Sequence, residues 1–147
     1  MEKFTYLAVV NILLIKEDKI LLARRFNTGY FDGDYEMPSG HMDGNETVRA
    51  AAAREALEEI GVTIEEDDLE VMHVMHRFGQ NYERIEFFLT ASAWEGEPSV
   101  TEPEECDDVQ WFALDELPQN MIPKSKAGLQ HSLAGEVFSE FDEEEKI

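Results

Sequence analysis

Residues 4–15, FTYLAVVNILLI, form a strongly apolar run that reads as a strand, and a second apolar run, Ile20 to Arg24, follows Lys16-Glu17-Asp18-Lys19. A short polar segment between two such runs is a turn signal, so a hairpin is expected here. Residues 26–35 interrupt the pattern with Gly, Asp and Asn, as a loop does. Between Asn45 and Gly61 the spacing turns helical. Asn45 is the expected N-cap, Glu46 suits the positive helix end, and Gly61 is a helix-ending glycine before the extended Val62-Thr63-Ile64. Two long strands, Leu69 to Phe78 and Arg84 to Trp94, flank a second hairpin signal at Gly79-Gln80-Asn81. Val109 to Leu114 reads as a further strand, Asp115-Glu116-Leu117 as a short helical turn, and Pro123 to Leu133 as a helix with proline in its first turn. Strands with helices to either side predict an α/β fold, a three-layer α/β/α sandwich with a mixed sheet.

On the central helix, Glu55, Glu58 and Glu59 fall within an arc of about 100°, while Ala50, Ala53, Leu57 and Ile60 lie opposite. Such a helix is expected to pack its apolar side on a sheet and turn its acids to a cleft. Like charges four residues apart cost about 0.2–0.5 kcal/mol per pair in an isolated helix, so something must offset them. Arg54, four residues before Glu58, can orient that carboxylate. A hard cation, Mg²⁺ or Mn²⁺, would serve the rest, since it takes carboxylates, water and phosphate oxygens. In a chain this acidic, EALEE alone is also what a solvated surface looks like. Its flanks decide between the two.

Those flanks make the segment Gly40 to Val62, GHMDGNETVRAAAAREALEEIGV, resemble the signature of the Nudix hydrolase family. The fixed positions fall on Gly40, Glu46, Arg54, Glu55, Ala56, Glu58, Glu59, Gly61 and Val62. Ala56 is smaller than the family's usual aliphatic, and Ser39 stands where many relatives carry a second glycine. The resemblance implies the Nudix fold, which is of the three-layer kind, and hydrolysis of a pyrophosphate linkage in a nucleoside diphosphate joined to another group. It makes the Gly40 carbonyl, Glu58 and Glu59 metal ligands, Glu55 a ligand or the general base, Arg54 an orienting partner and Glu46 a support. The metal would lower the pKa of a bound water so that a carboxylate can take its proton near neutral pH.

A second acidic stretch, residues 102–108 (EPEECDD), is by composition a solvent loop, but it resembles the segment of triphosphate-cleaving relatives in which a glutamate approaches the metals. Glu104 is the first expectation and Glu105 the second. The short chain and its terminal pattern EPEECDDVQWFALDELP look MutT-like, implying a nucleoside triphosphate split to monophosphate and pyrophosphate. The alternatives are an ADP-ribose or nucleotide-sugar pyrophosphatase, a silent nucleotide-binding domain, or an acidic interaction protein. Crowded carboxylates beside an intact Arg-Glu argue against the silent domain.

Composition bounds the partners. With 147 residues and 43% hydrophobic content the chain can bury one core, and no Pro/Ser/Gly-rich linker divides it, so a single domain over 1–147 is expected, with an acidic, solvated tail from about 139. The run Tyr6 to Ile15 is too short for a membrane span and lacks the build of a signal peptide, so a cytoplasmic monomer or homodimer is expected. Cys106 is the only cysteine, and His41, His73, His76 and His131 lack metal-ligand spacing, although His41 adjoins Gly40. The net charge of −21 would repel duplex nucleic acid but admits a small nucleotide if a few cations meet its phosphates. Arg24, Arg25, Arg77 and Arg84 are the candidates, and Tyr30, Tyr35, Phe78 and Tyr82 are candidates to stack on a base.

Overall fold

The computed structural model describes residues 2–79 and 82–143. Strand β1 (Leu7–Leu13) is followed by β2 (Ile15–Lys16) and β3 (Lys19–Arg25). The expected first hairpin is present but short, pairing Ile15 with Ile20 and Lys16 with Lys19 around Glu17 and Asp18, both at positive φ. The main part of the apolar run goes elsewhere. Val9 to Leu13 are buried throughout, and a strand buried on both faces belongs inside a sheet, so β1 pairs in parallel with β7 (Tyr82–Ala91) and antiparallel with β5 (Ser39–His41).

The resulting five-stranded mixed sheet has the order β5-β1-β7-β6-β9, with β6 at Leu69–Gly79 and β9 at Phe138–Asp142. In the second sheet β3 pairs with β2, with β4 (Tyr35–Glu36) and with β8 (Cys106–Ala113). The turn residues Gln80 and Asn81 lie outside the described residues. Helix α1 (Val48–Ile60) covers one side, where Ala51, Ala52, Ala56 and Ile60 pack with Val10, Ile12 and Leu14. Helix α2 (Pro123–Leu133) covers the other, where Leu129 packs with Leu13, Met75 and Phe88. The three-layer α/β/α expectation holds. Among the described residues no helix is long and apolar enough to cross a membrane.

Several local expectations are corrected. The N-cap of α1 is Thr47, whose Oγ1 accepts from Ala50 N at 3.1 Å, whereas Asn45 sits at φ 56° in the preceding turn and Glu46 precedes the helix. The buried face of α1 is Ala51, Ala52, Glu55, Ala56 and Ile60, and Leu57 is 55% exposed. Small alanines let the helix approach β1 and β5 closely, so Glu55 lies at the margin of the packed face instead of opposite it. Residues Asp115 to Leu117 form a turn and not a helix. The acidic tail departs most from expectation. Phe138–Asp142 pairs in parallel with β6, from Val74 opposite Phe138 to Phe78 opposite Asp142, and Glu143 is buried. Phe141 at 5% exposure anchors this strand in the core, which outweighs the charges beside it. Glu144 and Glu145 lie outside the described residues.

Candidate active site

Gly40 and Glu55 meet where β5 runs along α1. A Cβ at position 40 would lie 2.1 Å from Glu55 Cδ, so only glycine leaves room for that carboxylate. Arg54 then fixes the group. Its Nη1 donates to Glu55 Oε1 at 2.9 Å, and its Nε and Nη2 grip the two Glu46 oxygens at 3.0 and 2.8 Å. Glu58, the partner expected from spacing, is the looser one at 3.3 Å. Glu46 is thereby a support, held below the ordinary carboxylate range by Arg54 and by the Asp43 N–H. Burial pushes the Glu55 carboxyl up to about 7, with Arg54 opposing. Glu59 accepts from Ser39 N at 2.7 Å, and burial followed by the nearby Glu36 carboxylate pushes it well above the ordinary range.

Residues 102–106 form one helical turn, in which Glu105 N and Cys106 N both donate to the Glu102 carbonyl at 2.9 Å. Residues three apart on such a turn share a side, so Glu102 and Glu105 line the cleft with the α1 acids, whereas Glu104 does not line it. Of the two expected carboxylates, Glu105 lines the cleft and Glu104 does not, and Glu102, which was not expected, lines it too. Burial, then Glu105 and Glu58, raises the Glu102 pKa.

These acids form one wall of a cleft of about 740 Å³ whose other wall carries Arg25, Tyr30, Arg77, Tyr82, Arg84 and Lys124. Arg25 binds Glu36 Oε2 at 2.6 Å and the Tyr30 carbonyl at 2.6 Å. Lys124 Nζ donates to Asn11 Oδ1 at 2.8 Å and Glu86 Oε1 at 2.9 Å, and Asn11 Nδ2 donates to the same Glu86 oxygen at 2.9 Å. Burial disfavours the Glu86 charge, but Lys124, Arg77 and Asn11 together hold its pKa below the ordinary range. Arg77 Nη1 forms a 3.0 Å ion pair with Glu86 Oε2, although its orientation is not that of a hydrogen bond. Among the described residues Arg84 has no ion-pair partner, and its guanidinium stacks 4.7 Å from the Tyr82 ring centre. His41 lines the same cleft, its pKa lowered by burial and by Arg84.

Other candidates fall away. Arg24 pairs with Asp107 at 2.7 Å and lines a smaller adjoining pocket. Tyr35 is 5% exposed, with its hydroxyl held by Asp108 and Gln110, and lies behind the cleft. Phe78 is half-buried and outside the lining. Lys124, Glu86 and Glu36 were missed. A signal existed for the first two: a lysine in the first turn of a helix opposes the helix dipole, and Glu86, like Asn11, interrupts an apolar strand. Among the described residues no three His, Cys, Asp or Glu side chains already converge as a cation cage. The acids form an open set whose coordination shell needs water or phosphate oxygens to close.

A family model of the NUDIX domain matches residues 5–132. The 8-oxo-dGTP diphosphatase of Haemophilus influenzae is 30% identical over 140 residues, covering 95% of this chain and 98% of that protein. The NAD-capped RNA hydrolase NudC of Stutzerimonas stutzeri is 29% identical over 107 residues, 73% of this chain but 36% of that protein. This chain thus spans little more than a third of such NudC relatives. A crystal structure of the MutT NUDIX hydrolase from Burkholderia pseudomallei superposes with a TM-score of 0.79 at 27% identity, covering 86% of this chain and 98% of that one. With the matched segment spanning both helices and both walls of the cleft, the chain belongs to the NUDIX family, in its MutT-like branch.

Proposed function

We propose that this cleft hydrolyses the pyrophosphate linkage of a nucleoside triphosphate, giving a nucleoside monophosphate and pyrophosphate, in a cytoplasmic monomer or homodimer. One observation carries the reading. Carboxylates of α1 and of the 102–105 turn face Arg25, Arg77, Arg84 and Lys124 across a cleft of about 740 Å³, a size suited to one nucleotide.

The donor set fits Mg²⁺, or Mn²⁺. It is all oxygen, and desolvation disfavours the charge of the buried Glu55 and the half-buried Glu59 until a cation arrives. Glu58, Glu59, Glu105 and the Gly40 carbonyl would hold it, with Glu55 at its edge. When bound, such an ion neutralises phosphate charge and acidifies water. Glu55, oriented by Arg54 and charged once a cation is bound beside it, is placed to accept a proton from the attacking water. Arg84, which has no ion-pair partner among the described residues, and Arg77 meet anionic oxygens of the substrate, while Tyr30 and Tyr82 supply flat apolar surface. A net charge of −21 disfavours a polynucleotide in this role.

Incubation with Mg²⁺ and a panel of nucleoside triphosphates, ADP-ribose and nucleotide sugars tests the reading through its products. Monophosphate plus pyrophosphate is expected. Two monophosphates from a diphosphate conjugate, with triphosphates untouched, would assign the alternative pyrophosphatase. Nucleotide binding without turnover would mean a silent domain, and neither binding nor turnover an interaction protein.

A further inference from the structure

Strand β9 lies beyond residues 5–132, the span that matches the family model, yet the residue that follows it is a buried carboxylate in contact with Tyr30 and Arg77, which line the cleft. Parallel pairing with β6 sets Phe141 opposite Arg77 and Asp142 opposite Phe78, so the next residue, Glu143, arrives beside the cationic wall. Glu143 is 5% exposed. Its Oε1 accepts from the Tyr30 hydroxyl at 2.9 Å, and its Oε2 lies 3.6 Å from Arg77 Nε. Two contact chains diverge from this carboxylate. One runs through Arg77 to Glu86 and Lys124. The other runs through Tyr30, whose carbonyl accepts from Arg25, to Glu36. Glu36 lies against the acid wall, where its charge acts on Glu59. Thr28 Oγ1 ties the Tyr30 backbone, the Tyr30 ring packs on Phe31 and under the Arg25 guanidinium, and Asp32 and Asn120 hold other parts of the 26–35 loop, but among the described residues only Glu143 takes the Tyr30 hydroxyl.

We propose that β9 is part of the substrate-binding machinery and that Glu143 is a positioning residue, fixing Arg77 on one side and Tyr30 with Arg25 on the other so that the cationic wall is shaped before substrate enters. The physical reason is burial. Arg77 is 5% exposed and Glu86 fully buried, and the Arg77 contacts to Glu86 and Glu143 are ion pairs without hydrogen-bond geometry, so the placement of its guanidinium depends on negative charge at both ends. Lys124 and Asn11 already occupy the Glu86 oxygen that Arg77 does not reach. Without Glu143, Arg77 keeps Glu86 as its one carboxylate partner among the described residues, beside its contact with the Tyr82 ring, and Tyr30 loses the only side-chain partner of its hydroxyl among those residues.

The inference rests on the proposed function only for the identity of the ligand, so the test has one arm without ligand and one with. In the free protein, hydrogen exchange at residues 28–31 is expected to be about tenfold faster in Glu143→Ala than in wild type, while α1 amides are unchanged. Equal exchange in that loop overturns the proposal, whatever the protein hydrolyses. With substrate, KM for a nucleoside triphosphate is expected to rise roughly tenfold in Glu143→Ala, the cost of one charged hydrogen bond, with kcat within about twofold. Glu143→Gln, which keeps the acceptor for Tyr30 but not the charge for Arg77, is expected to recover part of the loss and guards against simple misfolding. Tyr30→Phe combined with Glu143→Gln should cost less than the sum of the two single changes. Additive effects, or a fall in kcat in proportion to the unfolded fraction at unchanged KM, would sink it. Altered loop exchange in a protein that turns over no nucleotide would retain Glu143 as a positioning residue and remove the proposed substrate.

Discussion

Gly40 and Glu55 are packed so closely that a methyl group cannot stand between them: an added Cβ would lie 2.1, 2.2 and 2.3 Å from the three terminal carboxylate atoms. Gly40→Ala is therefore expected to push the Glu55 carboxylate off its place beside Arg54. A displacement near 1 Å at a reacting group costs on the order of a hundredfold in rate. Steady-state kinetics with Mg²⁺ alongside a thermal melt check this, with activity falling far more than the melting temperature. Wild-type kcat in Gly40→Ala would show that Glu55 is not needed at that position.

The carboxylates should separate by where they point. Glu58, with a half-exposed side chain, contributes little packing, so Glu58→Gln is expected to nearly abolish Mg²⁺-dependent hydrolysis while leaving the fold intact. Glu105→Gln should lower kcat or weaken activation by Mg²⁺, since Glu105 lines the cleft. Glu104→Gln is expected to leave both within about twofold. A Glu104 variant more impaired than the Glu105 variant would reverse the placement of that turn.

Stability of the metal-free protein should carry a trace of Glu55. Its folded pKa of about 7 lies above the ordinary 4.5, so the native state binds this proton more tightly than the unfolded chain. The contribution is fully present below about 4.5, declines as pH rises, and is lost above about 7. With the side chain 12% exposed, the total is about 2–3 kcal/mol. His41, whose pKa is lowered from 6.5, acts in the opposite sense as pH falls. Comparison with Glu55→Gln cancels that term, so wild type should lose stability relative to Glu55→Gln between pH 5 and pH 8 by roughly this amount. Denaturant melts at the two pH values decide it, and a constant difference would contradict the assignment.

Gly128 tests how α2 sits on the sheet. A Cβ there would lie 2.1 Å from the fully buried Phe88 ring, and the core around that ring leaves it no space. Gly128→Ala would gain about 1 kcal/mol of helix propensity in an open site. Here overpacking should outweigh it and leave a net loss of about 1–3 kcal/mol. A more stable Gly128→Ala protein would mean that α2 stands further from Phe88 than described.

Legibility followed the range of the interactions. Pro123 to Leu133 forms the expected helix because proline at its start and its period are local signals. The spacing of Glu55, Glu58 and Glu59 places them on the cleft side of one helix, with Arg54 beside them, a geometry set by 3.6 residues per turn. The paired strands around residues 69–91 were equally readable. Choices between near neighbours failed. Asn45 and Thr47 are both good caps, and Glu104 and Glu105 are both carboxylates, so backbone direction decides between them.

What the sequence determined by itself is the acid helix, its glycine-led entry, the strand and helix segments and, through them, the family. All depend on residues within one or two turns of each other. The sequence offered Arg25, Arg77, Arg84, Tyr30 and Tyr82 as candidates for the opposite wall, but tertiary packing decided which of the candidates meet there and added Lys124 and Glu86. Lys124 reaches Asn11 across 113 positions of chain, and Tyr30 reaches Glu143 across another 113. A buried charge is tolerated only beside its partners, and which partners meet depends on strand order and on how each helix rests on the sheet. No local pattern says which partners meet, so an acidic tail that looks made for solvent becomes an edge strand, and the carboxylate after it is buried against Tyr30 and Arg77 behind the cleft wall.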